Sequence, residues 1–139
     1  MEEYEKFSAR MKEQFPKMFS SKYGGFEIGQ GWWPIIEVLC KNIQNHIDWK
    51  NKNSEVVPQV VVQQVKEKFG GLRFYYQGGD DAVYGMVRMA ESWADRTCEE
   101  CGNVGISRNG GWIKTLCDKH HAEREARYAQ HAKQDGLEL

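Results

Sequence analysis

The sequence predicts an α+β fold: helices packed on an antiparallel β-hairpin, followed by a small C-terminal module built around a metal ion. Three observations carry this expectation. Apolar residues recur at helical spacing in three segments of the first 97 residues. Two extended runs flank the dipeptide Gly70-Gly71. Four potential metal ligands fall in two closely spaced pairs near the end of the chain. The expected division is a helical and hairpin body over residues 1–97 and a metal module over residues 98–139, packed together as one compact unit.

Taken in order, residues 3–19 place Tyr4, Phe7, Met11, Phe15, Met18 and Phe19 on one helical stripe, with Pro16 set to kink or end it. A glycine-rich link over Tyr23–Gly31 follows. Trp32, Ile35, Ile36, Leu39, Ile43 and Ile47 then predict a second helix to about residue 49, with Pro34 in its first turn. Cys40 lies inside that stripe and reads as a small buried hydrophobe. After the polar break Asn51–Ser54, Val56–Phe69 and Leu72–Gln77 read as two strands with Gly70-Gly71 as a two-residue turn. That turn sets Phe69 opposite Leu72, Lys68 opposite Arg73, Glu67 opposite Phe74 and Lys66 opposite Tyr75. Alternation puts Val65, Phe69, Leu72, Phe74 and Tyr76 on a core face, with Glu67 an awkward member. Lys66, Lys68, Arg73 and Tyr75 share the other face. Asp80 or Asp81 is placed to cap a third helix that buries Val83, Met86, Val87, Ala90, Trp93 and Ala94.

The metal pattern is Cys98-Glu-Glu-Cys101-Gly102, then Cys117-Asp-Lys-His120. Two pairs, each with two intervening residues, supply four donors for a tetrahedral ion, and three thiolates with one imidazole suit zinc. Gly102 lets the backbone pass close to the sulfurs. His121 is the alternative to His120, but the spacing favours His120. All four positions are filled by protein, so the expected role of Zn2+ is structural, with no open position for an activated water. Val104–Ile106 and Trp112–Leu116 read as short strands around Arg108-Asn-Gly-Gly111, and the residues after Cys117 read as a helix. This order of knuckle, hairpin and helix resembles the treble-clef zinc fold, with His120 in place of the commoner fourth cysteine.

Composition narrows the function. Hydrophobic residues make up 40% and aromatics 12% of 139 residues, enough for a true core. The net charge of −1 argues against wholesale, charge-driven binding of nucleic acid. Residues 80–139 carry eight Lys/Arg against eleven Asp/Glu, a mildly acidic half. No apolar run is long enough for a membrane span, and the acidic start Met1-Glu-Glu-Tyr-Glu-Lys is unlike a signal peptide. Cysteines paired for metal rather than for disulfides then point to a reducing cytoplasm.

No catalytic constellation stands out. His46 sits beside Ile43 and Ile47 as a satisfied, partly buried imidazole would, no serine lies in a nucleophile elbow, and the Gly-Gly pairs read as turns. HNH-type nucleases join a treble clef to a catalytic histidine, but the segment Gly105–Leu116 contains none. The expectation is therefore a non-enzyme. The face of Lys66, Lys68, Arg73 and Tyr75 offers cations beside an aromatic, either as a platform for an anion or single strand or as an ordinary solvated sheet face. Trp32, Trp33, Trp49 and Trp112 exceed what a small core hides, so at least one is expected on the surface, where Trp favours interfaces.

The Gly-Trp-Trp-Pro-Ile-Ile segment, the Val-Lys-Glu-Lys-Phe-Gly-Gly-Leu-Arg-Phe-Tyr hairpin and the terminal zinc module together resemble small proteins encoded by phages and prophages. Within that group the chain is similar to zinc-containing anti-CRISPR inhibitors. The resemblance implies a host cytoplasm and a protein partner, a Cas effector such as Cas9 whose use of nucleic acid is blocked. It carries no residue-level motif. Two functions follow: a non-enzymatic inhibitor that binds a protein, and a zinc-stabilised nucleic-acid-binding protein using the basic hairpin face.

Overall fold

The structure is a computed structural model that describes residues 2–20 and 25–134. Part of the expected glycine-rich link, at Tyr23 and Gly24, lies outside the described residues, as do residues 135–139 of the expected metal module.

Helix α1 (Glu2–Gln14) places Glu2, Glu3 and Glu5 in its first turn, where carboxylates oppose the helix dipole, and buries Phe7 and Met11. It stops ahead of Phe15-Pro16, because proline disfavours helical backbone in the residue before it. The rest of the expected stripe, Phe15, Met18 and Phe19, enters the core from a following turn instead. A two-residue strand β1 (Phe26–Glu27) and a 3-10 turn (Gln30–Trp32) lead into α2 (Trp33–Lys52). Pro34 occupies the first turn of α2, and Ile35, Ile36, Leu39, Cys40, Ile43 and Ile47 are buried as the spacing predicts. Cys40 is 0% exposed, and that burial pushes its thiol pKa far up, so it behaves as a core apolar group.

Strands β2 (Val61–Lys68) and β3 (Gly71–Gln77) form the antiparallel hairpin, and β1 adds to β2 in parallel through Phe26↔Val65. The strand expected from Val56 starts five residues later. Pro58 has no N–H to give a ladder, and the Val57 amide donates to the Asn51 side chain at 2.7 Å.

The turn register also differs from expectation by one residue. The turn is Phe69-Gly70, with φ of 53° and 80°, so that Lys68 pairs with Gly71, Glu67 with Leu72, Lys66 with Arg73 and Gln64 with Tyr75. Positive φ at both central residues is the geometry that suits a two-residue hairpin. The physical reason lies at Gly70, whose amide donates to the Glu67 carboxylate at 2.7 Å and whose carbonyl accepts from the Thr115 hydroxyl at 2.7 Å. Gly70 is thereby buried under the C-terminal module, and Phe69 is turned out of the expected core face to 70% exposure. Val65, Leu72 and Phe74 remain in the core. Glu67, opposite Leu72, is explained by its bond to Gly70 and its ion pair with Lys114 at 3.5 Å.

Helix α3 (Asp81–Ala94) is capped by Asp80, whose carboxylate accepts from the Val83 amide at 3.0 Å. Val83, Val87, Ala90 and Ala94 are buried, whereas Trp93, expected inside, is 48% exposed at the edge of a groove between α2 and α3. A single cluster joins the buried side chains of α1, α2, the three-stranded sheet and α3.

The module that follows has β4 (Ile106–Arg108) paired with β5 (Lys114–Leu116), and then α4 (Asp118–Gln134). Each strand is offset by two residues from the expected start, because Val104 is taken by a bridge to Thr97 and Trp112 lies in the turn. Among the described residues, no helix is long and apolar enough to cross a membrane.

Candidate metal centre

The segment after α3 turns back on itself at Cys98–Gly102, where the Gly102 amide donates to the Cys98 carbonyl at 2.9 Å and Gly102 takes φ of 84°. That knuckle presents Cys98 and Cys101. The second pair comes from the step between β5 and α4, which places Cys117 just before the helix and His120 in its first turn. Sequence neighbours at this spacing converge because each turn directs both side chains to the same side.

The four ligand atoms lie within 4.8 Å of one another. Cys101 Sγ is 3.7 Å from Cys117 Sγ, and His120 Nδ1 is 3.2 Å from Cys117 Sγ and 3.6 Å from Cys98 Sγ. A tetrahedral zinc with sulfurs at about 2.3 Å requires its sulfurs about 3.8 Å apart, so these residues fit the ion. Cys98 and Cys117 are buried, His120 is partly covered and Cys101 is exposed. The four side chains could hold a metal ion, and the arrangement leaves every tetrahedral position to a protein donor.

The two sulfurs that face each other differ: the Cys101 thiol pKa is raised and the Cys117 thiol pKa is lowered. The His120 amide donates to Cys117 Sγ at 3.4 Å and, with the imidazole, pulls the Cys117 thiol down to about 7. With Nδ1 facing the sulfurs, His120 turns Nε2 toward the Glu123 carboxylate, which stands 3.7 Å away, beyond hydrogen-bond distance. His121, the alternative ligand by sequence, stays outside the cluster, and its buried Nδ1 has no hydrogen-bond partner among the described residues.

The centre is joined to the body by polar contacts that the sequence does not announce. Gly31 donates to the Glu99 carbonyl at 2.7 Å, Gly29 to the Glu99 carboxylate at 2.9 Å, and the Trp32 indole to the Thr97 carbonyl at 2.8 Å. A Cβ at Gly31 would stand 2.1 Å from the Cys98 carbonyl oxygen, so only glycine allows this approach. Lys114 bridges Glu99 at 3.4 Å and Glu67 at 3.5 Å. Burial is the main cause that pushes the Glu99 carboxyl up, against the pull of Gly29 and Lys114.

Elsewhere, Lys66, Lys68, Arg73 and Tyr75 share the outer face of the hairpin as expected. Lys66 rather than Lys68 is paired with Arg73, and Lys68 and Tyr75 are the exposed members. His46 is held at 2.9 Å from Asp80 in the partly buried, satisfied state expected for it. Of the four tryptophans singled out, Trp32 is fully buried, and Trp49 and Trp112 are 61% and 70% exposed. Two residues gave no sequence signal: Phe69, exposed by the register of its turn, and Arg124, a buried arginine on an otherwise polar helix. Comparison with known protein families, curated proteins and solved structures returns no match.

Proposed function

We propose that this chain is a zinc-stabilised binding protein without catalytic activity, which acts by docking on a macromolecular partner in a reducing cytoplasm. The observation that carries the reading is the pair of exposed aromatics, Phe69 and Trp112, which flank a groove of about 440 Å3 where the hairpin tip meets the metal module. Exposed Trp and Phe on rigid supports are typical anchors of protein interfaces. A metal surrounded by four protein donors supports a structural role rather than water activation. His46, engaged with Asp80, offers no free base.

The resemblance to phage-encoded inhibitors supplies one definite partner to test, a Cas effector such as Cas9. A second reading, nucleic-acid binding, is favoured by the cations Lys66, Lys68 and Arg73 sharing one sheet face with Tyr75. Mixing the purified protein with a Cas9–guide complex, and separately with labelled single- and double-stranded DNA, discriminates them. Co-elution with the effector and no DNA shift is the expected result. Tight, salt-sensitive DNA binding abolished by Lys66, Lys68 and Arg73→Ala would replace it with the second reading. Metal analysis of the same preparation should return about one zinc per chain.

A further inference from the structure

Helix α4 buries one residue, Arg124, at 4% exposure. A guanidinium carries five N–H donors and is costly to bury unless they are met. Nη2 donates to the Trp112 carbonyl, Nε donates to the Tyr128 hydroxyl at 3.1 Å, and the group lies 5.3 Å from the centre of the Tyr128 ring. Nη1 is buried with no hydrogen-bond partner among the described residues. Arg124 also forms part of the wall of a cavity of about 330 Å3 between β5 and α4, with Trp112, Arg127 and Tyr128 exposed around it. The metal staple requires none of this.

We propose that this cavity receives the side-chain carboxylate of an Asp or Glu in a protein partner, with an apolar neighbour of that residue lying against Trp112. The inference rests on the reading of the chain as a protein-binding module and gives that reading a site. Neither Arg124 nor Arg127 has an ion-pair partner among the described residues, and a guanidinium makes its stronger, charge-assisted bonds to an anionic acceptor. Arg127 adds a second cation at the same cavity. Lys114, on the same wall, is already shared between Glu67 and Glu99.

Two observations favour a lone carboxylate over a phosphate chain. Glu99 and Glu100 line the same cavity and would repel a multiply charged strand, and residues 80–139 are acidic overall. The apolar neighbour follows from the other side of Trp112, where Phe69 and Ile113 line the adjoining groove.

The test is an NMR titration of the zinc-loaded full chain, following the Trp112 indole and Arg124 Nε–H resonances. The probes are the blocked peptides acetyl-Leu-Glu-Leu-amide and acetyl-Leu-Gln-Leu-amide, together with a ten-residue oligothymidylate. The glutamate peptide should move both resonances saturably and bind about tenfold or more tightly than its glutamine counterpart, the fold-change expected for one charge-assisted bond. Arg127→Glu and Trp112→Ala, both at exposed positions that leave the fold intact, should each weaken it several-fold. Equal binding of the two peptides, no movement of either resonance, or stronger binding of the oligothymidylate at the same resonances overturns the proposal. Loss of this site and loss of the wider reading are separable. Arg127→Glu and Trp112→Ala proteins that still co-elute with the partner remove the cavity and keep the binding-protein reading, whereas a wild-type chain that binds no macromolecule removes the reading itself.

Discussion

The body and the metal module are stabilised by different physics. In the body, a continuous cluster runs from Phe7 on α1 through Trp32 and Ile43 to Phe74 on β3 and Ala94 on α3. In the module the buried cluster is Cys98, Leu116 and Cys117, two of its three members being candidate metal ligands. Helix α4 presents Ala122, Ala126, Tyr128 and Ala129 to solvent. The body therefore draws its stability from apolar area removed from water, whereas the module has little apolar area of its own and instead gathers four side chains that could hold a metal ion. The difference teaches where each part should be vulnerable: the body to cavities, and the module, if its four donors hold a metal, to chelation.

The largest expected effect tests that division directly. Removing zinc with a strong chelator, or replacing Cys117 with Ser, should unfold residues 98–134 while the body keeps its helices and hairpin. Structural zinc sites contribute about 10–16 kcal/mol of apparent binding energy. Hydrogen exchange should show amides of β4, β5 and α4 losing protection while those of α2 and β3 keep theirs. A Cys117→Ser protein with its module fully protected and no bound metal would end the comparison. A core truncation should do the converse. Ile43→Ala, at a site 0% exposed, should cost about 2–5 kcal/mol in denaturant unfolding and leave zinc stoichiometry unchanged under native conditions.

Smaller effects sharpen the picture within the body. Asp80→Ala removes the cap of α3 and the partner of His46, and should cost about 1 kcal/mol. The hydrogen bond from His46 holds the Asp80 carboxyl below its ordinary value of 3.8. The stability it contributes is thus fully present above that value and is lost as pH falls through the lowered one. Between about pH 5 and pH 2 the wild type should lose more stability than Asp80→Asn, read by thermal unfolding at each pH. The smallest effect is a gain. Phe69→Asn places Asn-Gly in a turn whose two central residues have positive φ, and should raise stability by about 1 kcal/mol. The same variant should bind the partner less well, since it removes an exposed anchor; unchanged partner binding would take Phe69 out of the interface.

Much of the fold was legible because its signals are local. Pro16, Pro34 and Asp80 each act on backbone within a few residues of themselves, and the ends of α1, α2 and α3 follow them. The parallel strand β1 carried no such signal: two residues, Phe26 and Glu27, take extended form because β2 offers them an edge. Trp93 fits the apolar period of α3 yet lies at the rim of a groove, since periodicity gives the face of a helix but not how far its neighbour extends. The hairpin misled for a related reason. By local chemistry Gly70-Gly71 is the easier two-residue turn, since Phe69 has to take a positive φ, and the choice was made instead by contacts from Glu67 and Thr115.

By itself, then, the sequence determined the candidate metal ligands and the three helices of the body. Cys98, Cys101, Cys117 and His120 converge through turns of two intervening residues, and helical stripes repeat every three or four, both short-range geometry. Only the tertiary structure decided the register that exposes Phe69, the burial of Arg124 and the seam of Gly31 against Cys98 and Glu99. Each depends on groups that chain folding brings together, as when Thr115 reaches Gly70 across 45 residues to hold the turn.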